Sequence, residues 1–598
     1  MHQHTNYVVM SETRIAKNGT NSEQDLTTAN RHDADGLHRM ALAHFHRNDL
    51  DRAFEFAEMA LHAAPARADL WECAGLLAAL RRQYKAAESF YHHAIALAGD
   101  TATLHRNLGD CLRQLGRLRE AIVHYERSLQ IDPELQHANR ALAMINTELG
   151  NTDAALEFWL RAWRLRPAAL KDDLDQIAAI LNTGCVGSLD HTVEQITTHH
   201  ADDPAALKAV AYVLNTSKRF ESALAVARRA LHLDPNNAVL CHNVAWALKQ
   251  LGRAAESRSY SEQAALGLPF EPKIQLYFAE VLLCLGEFEY GWKAYKSGYS
   301  IPEFKAGLSW PNFQLWNGEP VLGRQFLLVW EQGLGDQIQC LRFADWLHQR
   351  GAIVDVFVER SVAELATRMP SVRAAYSTMP TGPYDYWSHM FRMPEYMNLD
   401  LRMLPVAMPY IAAEPEKVCQ WRNWLDDMSS RQMTEGNRRV GIVWAGNPDH
   451  AMDCFRSIQI NAFEALFSLS GITWYSVQKG ARERESEALE QQFNVHTLGP
   501  LIQGFGDTLA ILQSLDLLIT VDSSVAHLAG AAGLPVWTLI PAYTDWRWMT
   551  ERTDSPWYPS MRLFRQRELR EWAPVFAEVR EALTDWIGVE ATEPHALT

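Results

Sequence analysis

ATLHRNLGDCLRQLGRLREAIVHYERSLQIDPEL (102–135) is the stretch that decides the first half of the fold. Counted from Ala102, its eighth place is Gly109, its twentieth Ala121 and its twenty-seventh Ser128. Small residues at those places let two antiparallel helices approach closely, and Tyr125 fills the gap beside them. Pro133 ends the second helix, since it has no N–H to donate and its ring clashes with the preceding turn.

The same places recur at a period of 34. Starts at 34, 68 and 136 give Ala41, Gly75 and Ala143 in the eighth place, and Ala53, Ala87 and Ala155 in the twentieth. The twenty-seventh place holds Ala60, Ala94 and Ala162, with Phe56, Tyr91 and Trp159 as the fillers. Pro65, Pro133 and Pro167 keep the spacing, Gly99 takes the missing place, and Pro235 and Pro269 repeat it. Two further copies start at 204 and 238, and a looser one runs from 272 to about 300. Residues 170–203 break the period by about three residues, as a degenerate repeat or a bend would. This pattern resembles the tetratricopeptide repeat family over residues 34–303. The resemblance implies an all-α array whose concave face holds a peptide or a partner protein. Asn107 and Asn243, in the sixth place of their repeats, are candidates for pairing with the backbone of a bound chain. The alternative is a solvated polar residue.

The whole chain has 598 residues, a net charge of −16, 47% apolar and 21% charged residues. That is ordinary globular composition, and the acidic balance argues against a nucleic-acid surface, which needs clustered Lys and Arg. No apolar run reaches membrane-helix length, and the polar start, expected to be a disordered tail over 1–33, lacks a signal-peptide core. The eight cysteines include no CxxC pair, so neither a zinc site nor a disulfide scaffold is expected. A cytoplasmic protein with no transmembrane segment and no nucleic-acid partner is the expectation.

WPNFQLWNGEPVLGR (310–324) marks a change of architecture, within a linker placed at 304–324. Beyond it, apolar runs alternate with helical segments: QFLLVW (325–330), IVDVFVE (353–359), VGIVWAG (440–446), TWYSVQ (473–478), LLITVD (517–522) and VWTLI (536–540). Such alternation predicts parallel sheets covered by helices. Two doubly wound Rossmann-like domains are expected, at 325–412 and 437–567, followed by a C-terminal helix at 568–588. Ligands of such sheets bind at the carboxyl ends of strands.

Three loops at those ends carry polar signatures. EQGLGD (331–336) brings Gly333 and Gly335, which permit close backbone approach, and Asp336, which is otherwise an N-cap. WAGNP (444–448) runs on to Arg456 and Ser457, and a guanidinium fork suits a phosphate oxygen, unless it only forms a surface ion pair. DSSVAH (522–527) sets hydroxyls at a helix N-terminus, a ready anion site, with His527 one turn in. A histidine there can equally cap or pack.

Together GLGD, WxGNP…RS and DSxxxH resemble the heptosyltransferase-type GT-B glycosyltransferases over about 320–585. The match is nearest to bacterial fusions of tetratricopeptide repeats with such a transferase, for which QKG (478–480) and DWRWMTERTDSPWYPSMRLFRQ (545–566) look typical. Ser524 stands where the family usually has glycine. The resemblance implies an inverting transfer from a nucleotide sugar, with no metal and no cofactor, and with Asp336 as general base. Trp444, Gly446, Asn447, Arg456, Ser457, Gln478, Lys479, Asp522, Ser523, Ser524 and His527 would line the donor side with Gly333 and Gly335. D-x-D triplets, the metal ligands of the other glycosyltransferase fold, fall only in the repeat half (Asp33/Asp35, Asp49/Asp51, Asp173/Asp175). A repeat array on a transferase suits a protein acceptor modified on Ser or Thr, since it raises the local concentration of the chain to be modified. Similar fusions are associated with flagellin and a nonulosonic acid. A lipid-linked or polysaccharide acceptor and a non-catalytic adaptor are the alternatives, and the donor nucleotide stays open.

Overall fold

The computed structural model describes residues 33–165, 193, 197, 201–402, 404, 408–431, 437–490, 492–543 and 545–590. The expected N-terminal tail, apart from Asp33, and most of the irregular segment 170–203 lie outside them. The chain divides into two compact units, Met1–Ala201 and Asp202–Thr598.

The first unit is a run of helix pairs: Ala34–His46 with Leu50–Ala63, Ala68–Leu80 with Tyr84–Ala98, Ala102–Gln114 with Leu118–Ile131, and Gln136–Glu148 with Thr152–Leu165. Its repeat logic is visible atom by atom. A methyl group on Gly75 would lie 2.8 Å from the Tyr91 ring, and one on Gly109 3.0 Å from the Tyr125 ring. Glycine is what lets each tyrosine sit between the two helices. The first repeat departs from the expectation for Phe56. That residue lies one place early, so Ala57 points inward at 2% exposure, while Phe56 stacks on His44 with ring centroids 5.3 Å apart. Asp33 and Asp49, each the first member of a D-x-D triplet, accept N–H bonds from Gly36 and Arg52 and cap the first two helices.

The second unit begins with three more pairs: Pro204–Thr216 with Phe220–Leu233, Ala238–Gln250 with Ala254–Gly267, and Pro272–Cys284 with Phe288–Tyr295. A 3₁₀ turn, Lys296–Ser300, leads to two parallel sheets. The first has the order β3-β2-β1-β4, with β1 Gln325–Val329, β2 Ile353–Phe357, β3 Ala374–Tyr376 and β4 Tyr386–His389. The second has the order β10-β9-β8-β5-β6-β7, with β5 Arg438–Val443, β6 Ile472–Ser476, β7 Val495–Thr497, β8 Leu517–Val521, β9 Val536–Ile540 and β10 Met561–Arg565. Every pairing between these ten strands is parallel, and helices cross between the strands, so the region is α/β. The segment after the first glycine loop forms two helices, Leu334–Cys340 and Arg342–Gln349, and the last helix runs Ala573–Glu590.

The compact boundary therefore falls at 201/202, about a hundred residues before the expected linker. The reason is packing. One continuous core includes Leu283, Phe288 and Trp292 of the last helix pair, Phe326 and Leu328 of β1, and Trp548 and Trp557 beyond β9. The turn between the helices 238–250 and 254–267 also presses on the second sheet. A methyl on Gly252 would meet the Ala542 carbonyl oxygen at 2.4 Å. Between the sheets lies Arg342, 1% exposed, donating to the Gln339 and Trp557 carbonyls at 2.9 and 3.0 Å and to Tyr410 Oη at 3.2 Å. Its guanidinium also lies over the rings of Tyr410, Trp557 and Tyr558. Burying a charge with no carboxylate partner is costly unless its N–H groups are satisfied, and here carbonyls and π-faces do it.

Candidate active site

In each sheet the chain reverses its direction of strand addition once. In the first sheet β2 and β3 are added on one side of β1 and β4 on the other. In the second, β6 and β7 lie on one side of β5 and β8, β9 and β10 on the other. The crevice at such a switch point is where parallel sheets take ligands. The loops 331–336, 444–448 and 522–524 follow β1, β5 and β8, so all three begin at switch points.

The first and third loops touch. A methyl on Gly335 would lie 2.7 Å from His527 Cδ2 and 3.5 Å from Ser524 Cα, so only glycine admits this approach. His527 is 3% exposed, its Nδ1 lies 2.9 Å from Tyr558 Oη, and its ring stacks on Trp548 at 5.1 Å. Burial, with Arg547 nearby, pushes its pKa down to about 3. A neutral, packed imidazole braces the two loops and supplies no positive charge for a phosphate.

Asp336 is held in a buried charge cluster. Its Oδ1 accepts from Arg547 Nε at 2.8 Å and from Arg547 Nη2, and its Oδ2 accepts the Gly333 N–H at 2.9 Å. Arg547 Nη1 also bonds both oxygens of Asp545, at 3.0 and 3.1 Å. Burial opposes the guanidinium charge, but Asp336 and Asp545 together hold it firmly protonated. Asp545 keeps a low pKa against its burial because of Arg547. Asp522 behaves oppositely: burial, then the charge of Asp545, pushes it up to about 6 against the pull of Arg456 and Arg547. A carboxylate has about four lone-pair sites. Asp336 spends three on Arg547 and Gly333, and its side chain keeps 15% exposure.

The second loop is largely occupied internally. Arg456 Nε bonds Asp453 Oδ1 at 3.0 Å, and Ser457 Oγ donates to Asp453 Oδ2 at 2.8 Å while accepting the Gly446 N–H at 3.0 Å. A methyl on Gly446 would meet the Arg456 guanidinium at 2.5 Å. Asn447 Oδ1 accepts the Asp449 N–H at 3.1 Å. Trp444 is fully buried, with Nε1 on Glu485 at 2.9 Å. Gln478 stitches the ends of β5 and β6 through the N–H groups of Trp444 and Ala445. Lys479 is about half exposed and pairs with Glu483 at 2.8 Å and the Gly499 carbonyl at 3.1 Å. Ser523 Oγ lies 3.1 Å from Thr520 Oγ1.

Of the expected residues, Gly333, Gly335, Asp336, Ser524 and His527 converge directly, and Asp522 and Arg456 join them electrostatically. Arg547 and Asp545 had no role in the sequence reading, although both lie in the stretch 545–566. The signal was present, since an arginine two residues from an aspartate just past a strand end forms this pair locally. Among the described residues, no group of three or more His, Cys, Asp or Glu has the geometry to hold a metal ion.

A tetratricopeptide repeat model matches residues 66–134. The N-terminal half is a tetratricopeptide-repeat array. Protein FlbA of Caulobacter vibrioides is 26% identical over 388 residues, 60% of this chain. The chain spans 63% of FlbA's length. Among solved structures, YrrB, described as a TPR protein with an unusual peptide-binding site, is 17% identical, covering 37% of this chain and 97% of YrrB with a TM-score of 0.24. The pilF protein of Pseudomonas aeruginosa is 16% identical, covering 43% and 98% with a TM-score of 0.25. Within the tetratricopeptide array, Asn107 is 9% exposed and its Oδ1 accepts from Arg106 at 2.7 and 3.1 Å. Asn243, expected to face a bound chain, is 1% exposed; its Nδ2 reaches the Lys208 carbonyl at 3.4 Å, and its own carbonyl accepts from Asn215 at 3.0 Å. Asn243 thus joins neighbouring repeats and leaves almost no surface for a ligand. No helix among the described residues is long and apolar enough to cross a membrane.

Proposed function

We propose that the chain is a GT-B glycosyltransferase that moves a sugar from a nucleotide sugar to a Ser or Thr hydroxyl of a protein, such as flagellin, recruited by the repeats. The observation that carries this reading is the meeting of Asp336 and Arg547, 211 residues apart, where the switch-point loops of two parallel sheets converge. In this reading the one lone pair left on Asp336 takes the proton of the acceptor hydroxyl as its oxygen attacks the anomeric carbon. Arg547, donating to its Oδ1, keeps that carboxylate oriented. Direct displacement inverts the anomeric centre. The leaving nucleotide phosphate is met by the N-terminal N–H groups of the helix starting at Ser524 and by the charges of Arg456 and Arg547. Asp522, with its pKa of about 6, carries less than a full negative charge close to that pH, which lowers its repulsion of a phosphate.

A thermal-shift screen of ADP-, UDP-, GDP- and CMP-sugars and their nucleotides tests the reading. A ligand that binds only the folded state raises the melting temperature with its concentration. A concentration-dependent rise with one nucleotide class is expected. No response to any of them favours an adaptor without catalytic function.

A further inference from the structure

The last helix pair and the 3₁₀ turn that follows it reach the candidate site by two routes. On the first, Tyr299 Oη donates to Glu331 Oε1 and Oε2 at 2.9 and 3.0 Å, and Gln332 Nε2 donates to Tyr295 Oη at 2.5 Å. Glu331 and Gln332 are the first two residues of the glycine loop. Gln332 has φ of +65°, in the left-handed region that only glycine enters cheaply. A non-glycine residue persists there when its surroundings over-determine it. The tyrosine hydroxyl supplies that constraint. On the second route, Trp292 and Tyr295 pack against Trp546 and Phe391, with Trp292–Trp546 at 5.1 Å and Tyr295–Phe391 at 5.8 Å. The Arg547 guanidinium lies 4.3 Å above the Trp546 ring. Glu331 closes the circuit by accepting the Phe391 N–H at 2.7 Å. Both routes end at the Asp336–Arg547 pair.

We propose that Tyr295 and Tyr299 are positioning residues: the last repeat holds the glycine loop so that Asp336 stays in register with Arg547. What the loop is held for rests on the glycosyltransferase reading; the holding itself does not. The repeats from 204 onward then form part of the transfer machinery as well as a recruiting surface.

The test uses the full-length chain with Tyr295→Phe, Tyr299→Phe and the double variant. Each keeps the ring in its aromatic packing and removes one hydroxyl. Hydrogen exchange is followed at the amides of residues 333–340, with the β8 amides 517–521 as internal reference. Losing one such bond should speed opening of the loop roughly tenfold, more in the double variant, with β8 and the melting temperature nearly unchanged. With the nucleotide sugar that the wild type turns over, kcat should fall roughly tenfold while the donor KM holds, since Arg456, Asp522 and the helix starting at Ser524 follow strands of the other sheet. Unchanged exchange at 333–340 in the double variant overturns the proposal. So does faster exchange spread equally over β8, or a raised donor KM with kcat intact. A wild type that turns over no nucleotide sugar defeats the glycosyltransferase reading instead, and the exchange measurement still decides the positioning role.

Discussion

Glu331→Gln offers a quantitative test of how the glycine loop is built. The carboxyl is 1% exposed and faces one backbone N–H and one phenol, with the charges of Asp336 and Arg392 acting on it in opposite directions. Burial pushes its pKa up to about 8, against the pull of the Phe391 N–H and Tyr299 hydroxyl. In the unfolded chain it titrates near 4.3. Between these values the folded state keeps a proton that the unfolded state has lost. Stability from this group is therefore full below about pH 4 and falls as pH rises toward the folded pKa. The slope is about 1.4 kcal/mol per pH unit, so about 3 kcal/mol disappears between about pH 5.5 and 7.5. Glutamine is nearly isosteric, stays neutral and still offers an oxygen to the Phe391 N–H. Chemical denaturation of wild type and variant across that range isolates the term, because His527 and the other titrating groups are common to both. The variant should be less pH-sensitive and should overtake the wild type in stability toward pH 8. Parallel pH profiles would refute the buried neutral carboxyl, and with it this account of the loop.

Three other outcomes are expected. Gly335→Ala forces a methyl against His527, whose ring is fixed by Trp548 and Tyr558, so overpacking should cost about 1–3 kcal/mol and separate the two loops; a melting temperature equal to wild type would show that the contact is loose. Asp336→Asn sets an amide against either the Gly333 N–H or the Arg547 donors, so it should lose about 1.5–3 kcal/mol of stability and at least about a hundredfold in single-turnover transfer, and a near-normal rate would remove Asp336 from catalysis. A fragment of residues 202–598 should melt in one cooperative transition, whereas one of residues 306–598 exposes the aromatic surface that covered Phe391 and Trp546; equal melting of both fragments would place the boundary at the linker after all.

The repeat period was legible because close helix packing restricts the same places to small residues in every copy. Phe56 misled because an aromatic one place out of phase looks equivalent until Ala57 is seen to face inward. Strands β1, β2, β5, β6, β8 and β9 are apolar runs and were readable. In contrast, β3, β4 and β7 are only three or four residues long, and two arginines interrupt β10, so they leave little local signal. The glycine loop, the Asp522 loop and Asp336 follow from strand-end logic. The partner of Asp336 does not, since a pair 211 residues apart depends on how two sheets face each other. The early boundary escaped notice for the same reason: Trp292, Tyr295 and Tyr299 look like ordinary repeat aromatics, and only their contacts reveal a second task. Asp453, three and four residues before Arg456 and Ser457, bonds both side chains, a local partner that strand-end logic does not include.

Transfer of sugar to a Ser or Thr hydroxyl can be read from the intact mass of acceptor polypeptides. Full-length wild-type chain is incubated with the nucleotide sugar that raises its melting temperature and with a bacterial extract lacking the chain. The expected result is a protein whose mass rises by one glycosyl residue on Ser or Thr, with nucleotide released in step and no gain with Asp336→Asn. Donor left unconsumed, or sugar recovered only in the lipid fraction, would contradict it.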